Sequence, residues 1–184
     1  MKVLVLHGFR TNKEIMRYQT SHITKTSPNT NTFTHINAPH PTNKTYPEIK
    51  YFFPNESTYY EWFERCDDEL VGIKQSINYL EGLLPRYDAV LAFSQGCSIL
   101  SCCNESLLQD KKIVLIAHAS VSQPHPSLRC CFLIGTKDPM RRTIEQVGSN
   151  YPKAFVHYYD ADHRIPFDTK TVNLIHDWFV TIGS

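Results

Sequence analysis

Short apolar runs, many of them β-branched, recur along the chain at Val3–Leu6, Phe33–Asn37, Asp88–Phe93, Ile113–Ala117, Cys130–Gly135 and Ala154–Tyr159. They lie too far apart to pair as hairpins, and most intervals between them carry helical periodicity. In the clearest, Leu70, Ile73, Ile77, Leu80 and Leu84 follow a 3-4-3-4 spacing that lines one face of a helix. Val172, Ile175, Phe179 and Ile182 do the same near the C-terminus. Ile15, Met16, Tyr18 and Ile23 outline a weaker helix from Asn12 to about Thr26. Continuous apolar strands alternating with helices predict a mostly parallel sheet of about six strands covered on both faces, a three-layer α/β sandwich. Right-handed crossovers then place the functional loops at the carboxyl ends of the strands.

One interval breaks the alternation. Residues 38–60 hold Pro39, Pro41, Pro47 and Pro54, together with Tyr46, Tyr51, Phe52, Phe53, Tyr59 and Tyr60. This is too long for an ordinary connection, and so many aromatics must cover something. The segment is either a packed surface loop or a lid or pocket wall.

Length and composition narrow the class of protein. A chain of 184 residues fits a single domain spanning 1–184 and can bury a sizeable core. Nineteen Lys and Arg against eighteen Asp and Glu leave a net charge of +1, with no basic tract of the kind that nucleic acid attracts. The opening apolar run is too short for a signal peptide, and no window is apolar enough to span a membrane. The six cysteines contain no CxxC pair and include two adjacent pairs, 102–103 and 130–131. The expectation is reduced, mostly buried thiols in a cytoplasmic protein, with no metal site.

The strongest chemical signal is Ala92-Phe93-Ser94-Gln95-Gly96-Cys97, between a buried strand and a helical stretch. A serine at a sharp strand-to-helix turn needs small residues two before and two after it, and Ala92 and Gly96 supply them. Such a turn lifts the hydroxyl clear of the sheet, where the Gln95 N–H and the helix dipole could stabilise an oxyanion. Ser94 could also be a plain helix N-cap. A nucleophilic serine needs a base, and the base needs an orienting carboxylate. His163 follows the last strand in Asp160-Ala161-Asp162-His163-Arg164-Ile165-Pro166, and Asp138 follows another in Gly135-Thr136-Lys137-Asp138-Pro139. Ser94, Asp138 and His163 stand in the chain order of an α/β-hydrolase triad. After the first strand, His7-Gly8-Phe9 is placed to supply a second oxyanion N–H from Phe9. His7 reads as a structural residue, and Arg10 and Lys13 as a solvated face, the other reading being a pair of cations that attracts an anionic acyl or phosphate group.

These motifs resemble the FSH family of small eukaryotic serine hydrolases within the α/β-hydrolase superfamily. The matching pieces are Val3–Phe9, Tyr87–Gly96, Gly135–Asp138, Asp162–Pro166 and a helix over Asp68–Leu83 with small residues at Gly72 and Ser76. The resemblance implies a cofactor-free carboxylesterase-like enzyme with Ser94 as nucleophile, His163 as base and Asp138 as orienter. Relatives usually carry Gly at the positions of Ala92 and Asp162, and Asp162 is placed to affect His163. The expected reaction is cleavage of a small-molecule carboxylic ester or thioester through an acyl-enzyme, with oxyanion donors at Phe9 and Gln95. The alternatives are an acyl-protein thioesterase or lysophospholipase-like enzyme, or a non-catalytic binding module on the same scaffold. Dimerisation is compatible with the chain, but no long exposed apolar stripe argues for it. The length leaves no space for a separate cap domain, so shelter for the acyl group must come from loops, chiefly 38–60.

Overall fold

The apolar runs become the six strands of one parallel sheet. The computed structural model describes residues 1–180. It opens with β1 (Lys2–Leu6), the short helices α1 (Lys13–Gln19) and α2 (Ser21–Thr26), and β2 (Thr32–Ile36). Small elements follow: β3 (His40–Thr42), α3 (Pro47–Phe52), β4 (Tyr59–Glu61), β5 (Glu64–Cys66) and β6 (Glu69–Val71). Then come α4 (Ile73–Leu83), β7 (Ala89–Phe93), α5 (Gln95–Ser101), β8 (Lys112–Ile116) and β9 (Cys130–Gly135). α6 (Arg141–Gly148), β10 (Phe155–Tyr159) and α7 (Thr169–Val180) complete the described chain. The main sheet runs in the order β10-β9-β8-β7-β1-β2, with every neighbouring pair parallel. This is the α/β-hydrolase fold, without a separate cap domain among the described residues.

Burial follows position in the sheet. Every residue of β7 and β9 is buried, as are Val3–Leu6 and Ile113–Ile116, because these strands are covered on both faces. The edge strands lack a neighbour on one side, and Phe155 and Val156 of β10 reach the surface. Cys97, Cys103, Cys130 and Cys131 lie in the core, and all six cysteines are free thiols. Burial pushes the thiols of Cys103, Cys130 and Cys131 up to about 12.

Two helix expectations are revised. The expected helix from Asn12 to Thr26 is divided at Thr20, whose hydroxyl donates to Met16 O at 2.7 Å and caps α1. The helix expected over Asp68–Leu83 begins only at Ile73. Residues Glu64–Val71 instead form the antiparallel hairpin β5–β6, turned at Asp67 with a φ of 52°. Gly72 then enters α4 at a φ of 83°, a left-handed conformation suited to glycine. Leu70 thus continues the apolar stripe of α4 from a strand and still packs against the core. Ile182, expected on the last helix, lies outside the described residues.

Residues 38–60 are ordered as β3, α3 and β4, not as an irregular loop. Thr11 bridges to Tyr60, tying this segment to the loop after β1. Its aromatics divide: Tyr59 is buried, whereas Tyr51 and Phe52 are 80% and 72% exposed. Among the described residues, no helix is long and apolar enough to cross a membrane.

Candidate active site

At the end of β7 the chain turns sharply into α5. Ser94 takes φ 52° and ψ −116°, a left-handed conformation that costs on the order of 1–3 kcal/mol for a non-glycine residue. The turn presses α5 against β1. A Cβ on Gly96 would lie 2.8 Å from His7 O and 2.9 Å from Leu6 Cβ, so this position tolerates only glycine. The Ser94 N–H is held by Ile116 O of the neighbouring strand at 2.9 Å. Its side chain makes no capping bond to the helix. Instead Ser94 Oγ lies 2.9 Å from His163 Nε2.

The other ring nitrogen, His163 Nδ1, lies 2.8 Å from Asp138 Oδ2. A carboxylate can only accept, so Nδ1–H donates to Asp138 and Nε2 is left free to accept the serine proton. Asp138 lies just beyond β9, with a fully buried carboxylate. Its Oδ1 accepts the Met140 N–H at 2.8 Å, so it closes the local turn with one oxygen and faces His163 with the other. The strand-end loops are bound to each other as well. Lys137 N–H donates to Ala161 O, and Thr136 N–H to Tyr159 O, both at 2.9 Å. A Cβ on Gly135 would lie 2.6 Å from both Ala161 O and Asp162 O, and its absence lets the His163 loop cross directly over β9. Tyr159 OH donates to Arg164 O at 2.6 Å and anchors that loop from below. Sequence separations of 25 and 69 residues are thus closed into one hydrogen-bonded chain.

Asp162 does not approach the His163 ring as a bonding partner. Arg164 binds its carboxylate, and that bond holds it below the usual carboxylate range. Arg10 is not simply solvated. It pairs with Glu61 at 2.9 Å and Glu64 at 3.5 Å, and its guanidinium lies over the Phe9 ring. Lys13 remains exposed.

His7 is a structural residue. It is fully buried, its Nε2 accepts the Ala38 N–H at 3.0 Å, and its Nδ1 meets Gly8 O at 2.7 Å. Burial pushes it down to about 4, so it stays neutral and braces the loop that carries Phe9. Trp62 completes the brace by donating its indole N–H to His7 O at 2.9 Å. The Gln95 side chain is locked in turn: it accepts from Trp62 N–H at 2.9 Å and donates to Phe63 O at 2.8 Å. The sequence reading did not single out Trp62 or the Gln95 amide. Both act through contacts more than 30 residues away, which no local spacing encodes.

Ser94 and His163 open into a cavity of about 390 Å³. Phe9 and Gln95 line it beside them, and Phe63, Phe93 and Met140 give it apolar walls. From the 38–60 segment only Tyr46 and Ile49 reach it. The model of the serine hydrolase (FSH1) family matches residues 1–175. The chain belongs to this FSH1 serine hydrolase family. No curated protein matches it. Several solved structures share the fold. Arabidopsis thaliana SOBER1 is 12% identical, with 97% of each chain covered and a TM-score of 0.64. The carboxylesterase of Bacillus cereus is 14% identical, covering 96% of this chain and 86% of its own, with a TM-score of 0.56. Esterase PE8 is 15% identical, covering 96% and 90%, with a TM-score of 0.59. At such identities the likeness concerns the fold, and the serine hydrolase assignment rests on the family match.

Proposed function

We propose that this FSH1-family chain is a serine esterase that cleaves carboxylic esters or thioesters through an acyl-enzyme, with Ser94, His163 and Asp138 as its triad. The observation that carries the reading is the hydrogen-bonded chain Ser94–His163–Asp138, whose Ser94 and His163 line a largely apolar cavity. His163 Nε2 takes the proton as Ser94 Oγ attacks the acyl carbonyl. Asp138 keeps the imidazole in the reactive tautomer and stabilises the imidazolium that forms. The backbone N–H groups of Phe9 and Gln95 are assigned to the oxyanion, at the loop that His7 and Trp62 brace and at the start of α5. His163 then returns its proton to the leaving alcohol or thiol. Water, activated by the same imidazole, releases the acid.

A fluorophosphonate probe tests the nucleophile directly. The wild type is expected to label, and Ser94→Ala to lose labelling together with ester and thioester turnover. Undiminished labelling of Ser94→Ala, or saturable ligand binding without turnover of any ester, would overturn the proposal. Parallel rates on acyl-thioesters, lysolipids and simple esters of matched chain length then separate a thioesterase or lysophospholipase from a general carboxylesterase.

A further inference from the structure

The β5–β6 hairpin sets Arg65, which is exposed to solvent, on the lining of the cavity, and the triad chemistry does not use it. Phe63, just before β5, and Arg65, within it, both line the cavity. Glu64, between them, turns the other way and meets Arg10 and Lys44. Directly across the hairpin, Arg65 is paired with Leu70, so its cross-strand neighbour offers no counter-charge. Among the described residues no carboxylate lies within ion-pair distance of Arg65. The cavity lining contains no Asp or Glu either. Its other guanidinium, Arg164, is already engaged by Asp162. The cavity that holds Ser94 therefore has one arginine on its lining that is exposed and, among the described residues, has no carboxylate partner.

The geometry points to Arg65 as a specificity-determining residue for an anionic substrate: an ester or thioester with a carboxylate placed away from the bond that is cleaved. This rests on the serine esterase reading and narrows its substrate class. A guanidinium offers paired N–H donors that match the two oxygens of a carboxylate. One such group suits a single monoanion, because the lining's other guanidinium, Arg164, is held by Asp162 and leaves no second cation for a phosphate dianion. The apolar walls would hold the hydrocarbon between the scissile carbonyl and the anion. The carboxylate could belong to the acyl part or to the leaving group, since Arg65 would recognise it in the same way.

Matched ester pairs separate these cases. On the acyl side, p-nitrophenyl hydrogen adipate is compared with p-nitrophenyl hexanoate. On the leaving-group side, 4-carboxyphenyl hexanoate is compared with 4-carbamoylphenyl hexanoate. In at least one pair the wild type should favour the anion in kcat/KM by about tenfold, the size expected of a charge-assisted hydrogen bond partly exposed to water. Arg65→Ala should abolish that preference and leave the neutral ester within about twofold of wild type. Arg65→Glu should invert it, and about 1 M salt should weaken it. No preference in either pair, or a preference that survives in Arg65→Ala, would overturn the inference.

Two further readouts keep it distinct from the triad assignment. A neutral fluorophosphonate should label wild type and Arg65→Ala equally, so a failure of Ser94 chemistry is seen as such. In that event, calorimetric binding of the non-hydrolysable N-phenyl adipamic acid and N-(4-carboxyphenyl)hexanamide still decides the matter. Tighter binding of at least one than of its uncharged analogue, lost in Arg65→Ala, supports the role of Arg65. Binding that is unchanged in Arg65→Ala rejects it.

Discussion

Ser94 holds a left-handed backbone because its neighbours leave the turn no other course, and the tightest of these neighbours is Gly96. Gly96→Ala drives a methyl into Leu6 and the His7 carbonyl, which are backbone and core atoms that cannot simply rotate away. We expect a loss of about 1–3 kcal/mol in urea unfolding, with probe labelling of Ser94 falling at the same time. A variant with wild-type stability and labelling would contradict the close approach. Asp138→Asn tests the tautomer argument. The amide can donate to His163 Nδ1, which shifts the ring proton to Nε2 and removes the acceptor that Ser94 needs. Turnover should fall by about 10⁴-fold with the fold retained, as measured by kcat on a simple ester and by circular dichroism. That Ser94, His163 and Asp138 come together in one hydrogen-bonded chain was legible in the sequence, because each follows an apolar strand and the order along the chain carries meaning. Gly135 was noted only as part of the Asp138 motif. Its role in admitting the His163 loop depends on a crossing of two segments that are distant in sequence.

The six sheet strands were legible to within about a residue at most ends, because a buried parallel strand must be apolar throughout. The hairpin β5–β6 was not. Leu70 happens to fall in phase with α4, and the hairpin's remaining residues are largely polar, so the stripe read as a longer helix. What fixes the hairpin lies elsewhere: it is flanked by Gly72, where a Cβ would meet the His40 ring, and by Trp62, fully buried and bonded to the β1 loop. Trp62→Phe removes the bond to His7 O and, because phenyl is smaller than indole, leaves a small void in the core as well. The expected cost is about 2–4 kcal/mol in unfolding free energy. Because His7 belongs to the Phe9 loop, kcat should drop with little change in KM. A stability loss with kcat intact would make Trp62 a core residue and nothing more. The 38–60 segment was only partly legible: its aromatics promised a wall, but only Tyr46 and Ile49 reach the cavity, while Tyr51 and Phe52 face outward.

Across the whole molecule, the buried histidines set a limit on acid tolerance. Burial pushes His7, His35 and His118 from 6.5 down to about 4, with Arg17 adding to the effect at His35. In the unfolded chain all three regain the ordinary value, so the unfolded state binds protons more readily between these limits. Stability is therefore full above about pH 6.5 and declines as pH falls toward 4. Each histidine accounts for up to about 3 kcal/mol of this loss. Urea midpoints measured from pH 7 to 4.5 should fall steadily, and a flat profile would mean that these rings find protons or solvent in the folded state. The four core cysteines give the same molecule a built-in record of its opening. Exposed Cys66 should react with iodoacetamide at once, whereas Cys97, Cys103, Cys130 and Cys131 can react only when the sheet separates from its helices. The number of alkylated thiols read by intact mass would then count opening events molecule by molecule, with Cys97, at the base of the serine turn, timing when that turn comes apart.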